Sequence, residues 1–281
     1  MAGRLGALDE RLLRGPKGWR HRLALIEAAD FSWFAGDRVN PDRLALWISM
    51  RLSGVQDDPN ALARIGWAVR RLKGGPAPIV DLAAFLDRRD PKNTEDNAER
   101  FEDRAGAWLD VITAAAELHP ITRACMGFHL WSLAGLGQQS DRVEAAVTAA
   151  RIAASEGKGA VFAPLAMGGA GGLRASGLPP ERLACWLEGM DSAILAAMRY
   201  LDDIEAWGTR AEGAMSQLSG RTPAALRSVL TEWPLVSAPM AEALTGASRA
   251  AVQRNLAWME EKVLIREITQ QGRFRMWRIG V

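Results

Sequence analysis

Arg249, Gln253 and Arg254 stand close behind Ser248 in the run Leu244-Thr245-Gly246-Ala247-Ser248-Arg249-Ala250-Ala251-Val252-Gln253-Arg254-Asn255-Leu256. A guanidinium presents a planar fork of donors that matches the O6 and N7 edge of guanine or a phosphate, and a carboxamide matches the N6 and N7 edge of adenine. Ala250, with its small side chain, lets the backbone come close to such an edge. Ser248 suits a helix N-cap, and the free amides behind a cap can meet a phosphate. At about 100° per residue, Val252, Leu256, Met259 and Val263 share one face that can pack on Ala241 and Leu244. Ala250, Arg254 and Ala257 then point the other way, Gln253 lies on the flank and Arg249 in the first turn. Glu260 and Glu261 fall at the far end, away from that surface. A helix, a glycine-centred turn, a serine cap and a second helix are the parts of a helix-turn-helix that reads DNA.

The elements around this run are those that would hold it. Residues 264–269 and 273–279 are two short β-prone runs around Gln270-Gln271-Gly272, the pattern of a hairpin. Gln270, Gln271 and Arg273 occupy its tip and Arg275 one strand, where they can reach phosphate or the minor groove. The alternation is imperfect, because Trp277 and Ile279 fall in phase with the arginines. Helices are predicted over 223–233, 237–244 and 249–262, so the segment 219–281 reads as a winged helix-turn-helix with a small β-hairpin wing. From residue 221 onward nine Lys and Arg face five Asp and Glu, whereas the preceding part carries 26 against 28. That asymmetry suits contact with a polyanion.

The first 218 residues read as an all-α body. Apolar residues recur at three- and four-residue spacing over 20–29, 41–52, 60–71, 79–87, 105–118, 121–133, 141–155 and 180–207, with Pro179-Pro180-Glu181 opening the last of these. Lys73-Gly74-Gly75-Pro76 marks a turn, and the charged stretch from Arg88 to Asp103 predicts a mobile surface loop. A linker near 216–222 separates the two domains, 1–218 and 219–281. Eleven tryptophans against one tyrosine are expected mainly as core fillers. Cys125 and Cys185 fit neither a metal spacing nor a disulfide framework and are expected as buried thiols in a reducing cytoplasm. The basic opening residues lack the apolar core of a secretion signal, and no run is long and apolar enough for a membrane span.

Residues 237–277 resemble the winged-helix tail of many Fic-like proteins, the ending Arg266-Glu267-Ile268-Thr269-Gln270-Gln271-Gly272-Arg273-Phe274-Arg275 above all. Ala28-Ala29-Asp30-Phe31-Ser32-Trp33-Phe34-Ala35-Gly36-Asp37-Arg38-Val39 is similar to the opening of an uncharacterised bacterial family that joins a helical domain to this helix-turn-helix. The resemblance implies a DNA-binding tail on a degenerate Fic-like scaffold. Active Fic proteins share a loop of His-Pro-Phe-x-Asp/Glu-Gly-Asn-Gly-x-Arg, whose histidine takes the proton of the attacking hydroxyl and whose acid holds magnesium. Here His119-Pro120 is followed by Ile121-Thr122-Arg123, without acid, glycines or asparagine. Ala35 also stands where the Fic inhibitory helix carries glutamate. Adenylyl transfer is therefore not expected.

Other chemistries have weaker signatures. Gly168-Gly169-Ala170-Gly171-Gly172 could cradle an anion but lacks the Gly-Lys-Ser/Thr ending of a phosphate loop. His21, His119 and His129 are too sparse for a zinc site unless the fold brings His119 and His129 together. Asp202-Asp203-Ile204-Glu205 reads as a solvated face. The resulting expectation is a DNA-binding transcriptional regulator without cofactor or metal, gripping double-stranded DNA as a homodimer, with a small-molecule or protein effector on its helical body and no membrane partner. Two rivals are an enzyme whose helical domain acts on a nucleotide-linked substrate, and a protein-protein interaction module.

Overall fold

The computed structural model describes residues 1–50, 57–88, 95–137, 142–269 and 274–280. Among them the body is helical: α1 (Ala2–Arg14), α2 (Gly18–Ala35), α3 (Pro41–Met50), α4 (Pro59–Lys73), the single turn α5 (Leu82–Phe85), α6 (Glu95–Ala114), α7 (Pro120–Leu133), α8 (Val143–Ala153) and α9 (Pro179–Ala214). The C-terminal segment follows as α10 (Thr222–Glu232), β1 (Val236–Ser237), α11 (Ala238–Thr245), α12 (Arg249–Glu261), β2 (Ile265–Glu267) and β3 (Met276–Ile279). Its three strands form one antiparallel sheet in the order β1-β3-β2, with Val236 opposite Trp277 and Ile265 opposite Ile279. No helix among the described residues is long and apolar enough to cross a membrane.

Helix α2 is the axis of the body. Leu23, Ala24, Leu25, Ala28, Ala29 and Phe31 are all buried, and so are Arg22, Glu27 and Ser32, so most of its circumference is enclosed by neighbours. It packs on α3, α4 and α8. Gly36 ends it in the left-handed region, φ 98°, and its amide bonds back to the Ser32 carbonyl. Buried Ser32 Oγ accepts from Val39 N at 2.8 Å and donates to Ala29 O at 2.6 Å, which turns the chain into α3. The segment 28–39 is thus one compact helix exit.

Three expectations need correction. Residues from Glu95 onward are helical rather than loop, while 89–94 lie outside the described residues. The reason is a stripe that charge density obscures: Phe101, Ala105, Trp108 and Ile112 are buried along one side of α6, and the Arg88 guanidinium lies 4.7 Å from the Phe101 ring centre. Helix α1 was not predicted, although Leu5, Leu8 and Leu12 have helical spacing; Leu8 and Leu12 are buried, and Arg11 bridges Asp202 at 2.7 Å and Glu205 at 2.8 Å on α9. The acidic face of α9 is thereby a docking site for α1. Cys125 is buried as expected, but Cys185 is exposed on the outer face of α9.

The glycine run has a packing explanation. Gly168 and Gly169 take φ 75° and 142°, conformations that favour residues without a Cβ. Gly172 then opens a 3₁₀ turn, Gly172–Arg174, that presses on α9. A Cβ on Gly189 of α9 would lie 2.5 Å from Gly172 N and 2.7 Å from its Cα. Overpacking of this kind costs about 1–3 kcal/mol, so Gly189→Ala is expected to lower the thermal midpoint clearly. Gly171→Ala, where nothing lies within 4 Å of the added carbon, should leave it nearly unchanged. Equal midpoints for the two variants in a calorimetric scan would refute the close crossing.

Candidate nucleic-acid interface

Helix α11 starts on Ser237, whose Oγ accepts from Met240 N at 3.3 Å, and ends at Gly246, φ 65°. Thr245 Oγ1 then accepts from Ala247 N at 3.2 Å, and Ser248 Oγ accepts from Ala251 N at 3.4 Å to open α12. The turn is therefore built from one left-handed glycine and two short hydroxyl side chains, Thr245 and Ser248, each answering an amide the helices leave free. Asn255 secures the middle of α12 by donating from Nδ2 to Ala251 O at 2.8 Å.

Val252, Leu256 and Met259 are buried, and α12 packs on α10, α11 and β2. Ser248, Arg249, Ala250, Gln253, Arg254 and Ala257 are exposed. Arg249 and Arg254 enter no ion pair among the described residues. Two members of the predicted packing face do not belong to it. Val263 is 84 % exposed because α12 stops at Glu261 and Val263 adopts φ 56°, which breaks the 100° rotation. Leu244 is 51 % exposed; Ala241 alone of the predicted pair is buried.

The strands alter the reading of the arginines there. Gln270, Gln271 and Arg273 lie outside the described residues. Arg275 is exposed but tied: its Nη2 donates to Glu260 Oε2 at 2.9 Å, and its guanidinium lies 4.8 Å from the Trp277 ring centre. Trp277 Nε1 donates to the same Glu260 oxygen at 3.1 Å. Glu260, at the far end of α12 as expected, therefore joins that helix to the residues of β3. Met276, Trp277 and Ile279 are all buried, and since neighbouring residues point to opposite faces of a strand, both faces of β3 are covered. That explains the broken alternation.

The remaining cations of this segment are largely spent on internal pairs. Arg278 and Arg266 reach Asp42 of α3 at 2.8 and 3.8 Å, Arg227 reaches Glu212 at 3.2 Å, and Lys262 reaches its neighbour Glu261 at 3.3 Å. Among the described residues of this segment, Arg249 and Arg254 on the outer face of α12, together with Arg221 before α10, are the cations left without an ion pair.

Sequence reasoning missed how the C-terminal segment is held. Arg22 of α2 is buried, and its guanidinium donates to the backbone carbonyls of Leu230, Glu232 and Trp233 and to Tyr200 Oη. Trp207 Nε1 on α9 donates to Leu264 O at 2.7 Å, just before β2. The available signal was an arginine set directly beside the apolar run Leu23-Ala24-Leu25-Ile26, since a buried arginine is stable only with its donors satisfied.

Elsewhere, His119 is the N-cap of α7, its Nδ1 accepting from Ile121 N at 3.2 Å with Pro120 in the first turn. His129 lies on the same helix, about 15 Å further along at 1.5 Å per residue, so the two histidines do not meet. No group of three or more His, Cys, Asp or Glu able to hold a metal occurs among the described residues. Neither a protein-family model nor a curated protein matches the chain.

Proposed function

We propose that the chain is a DNA-binding transcriptional regulator whose segment 219–281 is a winged helix, reading duplex DNA through α12 as a dimer on two half-sites in the cytoplasm. One observation carries the reading: a capped helix presents Arg249, Ala250, Gln253 and Arg254 to solvent, with both arginines unpaired among the described residues, while most cations around them are neutralised internally. Recognition helices reach base edges through their first turns, where these residues stand. The order α10-β1-α11-α12-β2-β3, with β3 central, and the resemblance of 237–277 to the tail of Fic-like proteins support the same reading. The body, on this account a Fic-like scaffold without the catalytic loop, serves dimerisation or sensing rather than adenylyl transfer. Arg275, held by Glu260, is a weaker candidate contact than Arg254.

A bidentate arginine-guanine pair is worth about 1–3 kcal/mol. After selection of a preferred duplex from a random pool, Arg254→Ala is therefore expected to weaken binding by about tenfold or more in fluorescence anisotropy. Failure to enrich any duplex, together with an unchanged Arg254→Ala isotherm, would sink the proposal. The second reading, a module that grips a protein, draws on Val263 and Phe274, which are 84 % and 75 % exposed; it predicts association indifferent to duplex DNA.

A further inference from the structure

Between the body and the C-terminal segment lies a cavity of about 280 Å³. Its polar lining is Arg22, Asp42, Tyr200 and Arg278, and Leu25 and Leu235 contribute to its aliphatic wall. The charges do not balance. Every donor contact of buried Arg22 goes to a backbone carbonyl or to the Tyr200 hydroxyl, so no carboxylate faces that cation among the described residues. The one carboxylate of the lining, Asp42, is shared between Arg278 at 2.8 Å and Arg266 at 3.8 Å. Arg278 also keeps an Nε that is buried and donates to nothing. Tyr200 accepts from Arg22 Nη1 at 3.3 Å, which leaves its own proton for another acceptor. Burial, and to a lesser degree the Arg278 charge, hold the Arg22 guanidinium below its ordinary range, consistent with a cation lacking its counter-charge.

A buried guanidinium without a counter-ion, an orphaned donor and an aliphatic wall in one cavity describe a receptor for an anion with an apolar body. We propose that this cavity binds a small organic carboxylate, its head on the Arg278 guanidinium and the Tyr200 hydroxyl, within the field of Arg22, and its hydrocarbon part against Leu25 and Leu235. Two lining guanidinia against one carboxylate, with the aliphatic wall, favour such a monoanion over inorganic phosphate. A planar guanidinium edge matches two carboxylate oxygens at once. The site stands independently of what α12 reads, since it needs only the junction between the two parts of the chain.

The full chain is titrated with sodium benzoate and sodium hexanoate at constant ionic strength, with benzamide and inorganic phosphate as controls, by thermal melting and isothermal calorimetry. A saturable rise in melting temperature with at least one carboxylate and not with the controls is expected. Because hydrogen bonds to charged groups are the stronger class, Arg278→Gln should weaken that binding by about tenfold or more. Tyr200→Phe, which keeps the ring and its packing, should weaken it too, and serves if Arg278→Gln does not fold. Ala45→Leu, which adds volume at the cavity wall, should also reduce it. The proposal is overturned if neither carboxylate gives a saturable shift, if benzamide or phosphate matches them, or if the folded variants bind as the parent does.

Discussion

Glu27→Ala is expected to cost about 3 kcal/mol or more, enough to leave much of the chain unfolded under mild conditions. Glu27 is completely buried in α2, and its two oxygens accept from the backbone amides of Leu165, Ala166 and Met167 at 2.6 to 3.3 Å. That loop lacks regular structure, so its amides depend on the side chain for partners. Each orphaned buried amide costs about 1–3 kcal/mol. The carboxyl also makes stability depend on pH. Burial raises its pKa from 4.5 to about 8, outweighing the amide bonds that pull it down. Asp30, one turn on, is raised from 3.8 to about 6, again mainly by burial. Between the ordinary and the raised values the folded chain holds protons that the unfolded chain has released. The stabilisation is complete below about pH 4 and is lost as pH rises through about 8, with a slope of at most about 1.4 kcal/mol per pH unit for one proton. Urea denaturation across this range measures the slope. Glu27→Gln removes one titrating group while retaining an acceptor oxygen, and should flatten the profile; an unchanged slope would show that Glu27 does not titrate there.

Arg22→Leu is the second large effect, expected at about 3–5 kcal/mol, because three backbone carbonyls lose a charged donor at about 1–3 kcal/mol each. Leucine fills part of the volume but leaves the carbonyls of Leu230, Glu232 and Trp233 without the donors they now share. Arg22→Lys should rescue little, because one ammonium cannot reach acceptors that a guanidinium spans as a rigid fork. The measurement is again urea denaturation, followed by tryptophan emission: Trp233 and Trp277 lie in the segment that Arg22 holds. A loss below about 1 kcal/mol, the ordinary value of one net hydrogen bond, would mean that water replaces the guanidinium easily.

These two residues also mark how far the sequence could be read. Periodicity located α4, α7, α9 and α12, and the cap residue Ser248 predicted the start of α12, because those signals are local. The outward face of α12 was legible for the same reason: Arg249, Gln253 and Arg254 are placed by rotation alone. What could not be read is non-local. Strand β1 has only two residues and exists because β3 lies beside it. The Arg275–Glu260 pair joins residues from separate elements, and Val263 left the predicted face because the helix ended before it. The partners of Arg22 and Glu27 lie more than a hundred residues away, beyond any spacing rule.

Helix α9 carries a mechanical consequence. It is continuous over 36 residues, pressed against Gly172 at Gly189 and bonded to Leu264 through Trp207. These two fastenings are separated by about 27 Å of unbroken helix at 1.5 Å per residue. A helix with its hydrogen bonds intact is stiff along its axis, so the glycine loop and the start of β2 are held at a fixed spacing by α9. Loop and sheet are in that sense fastened to one rod at two separate points.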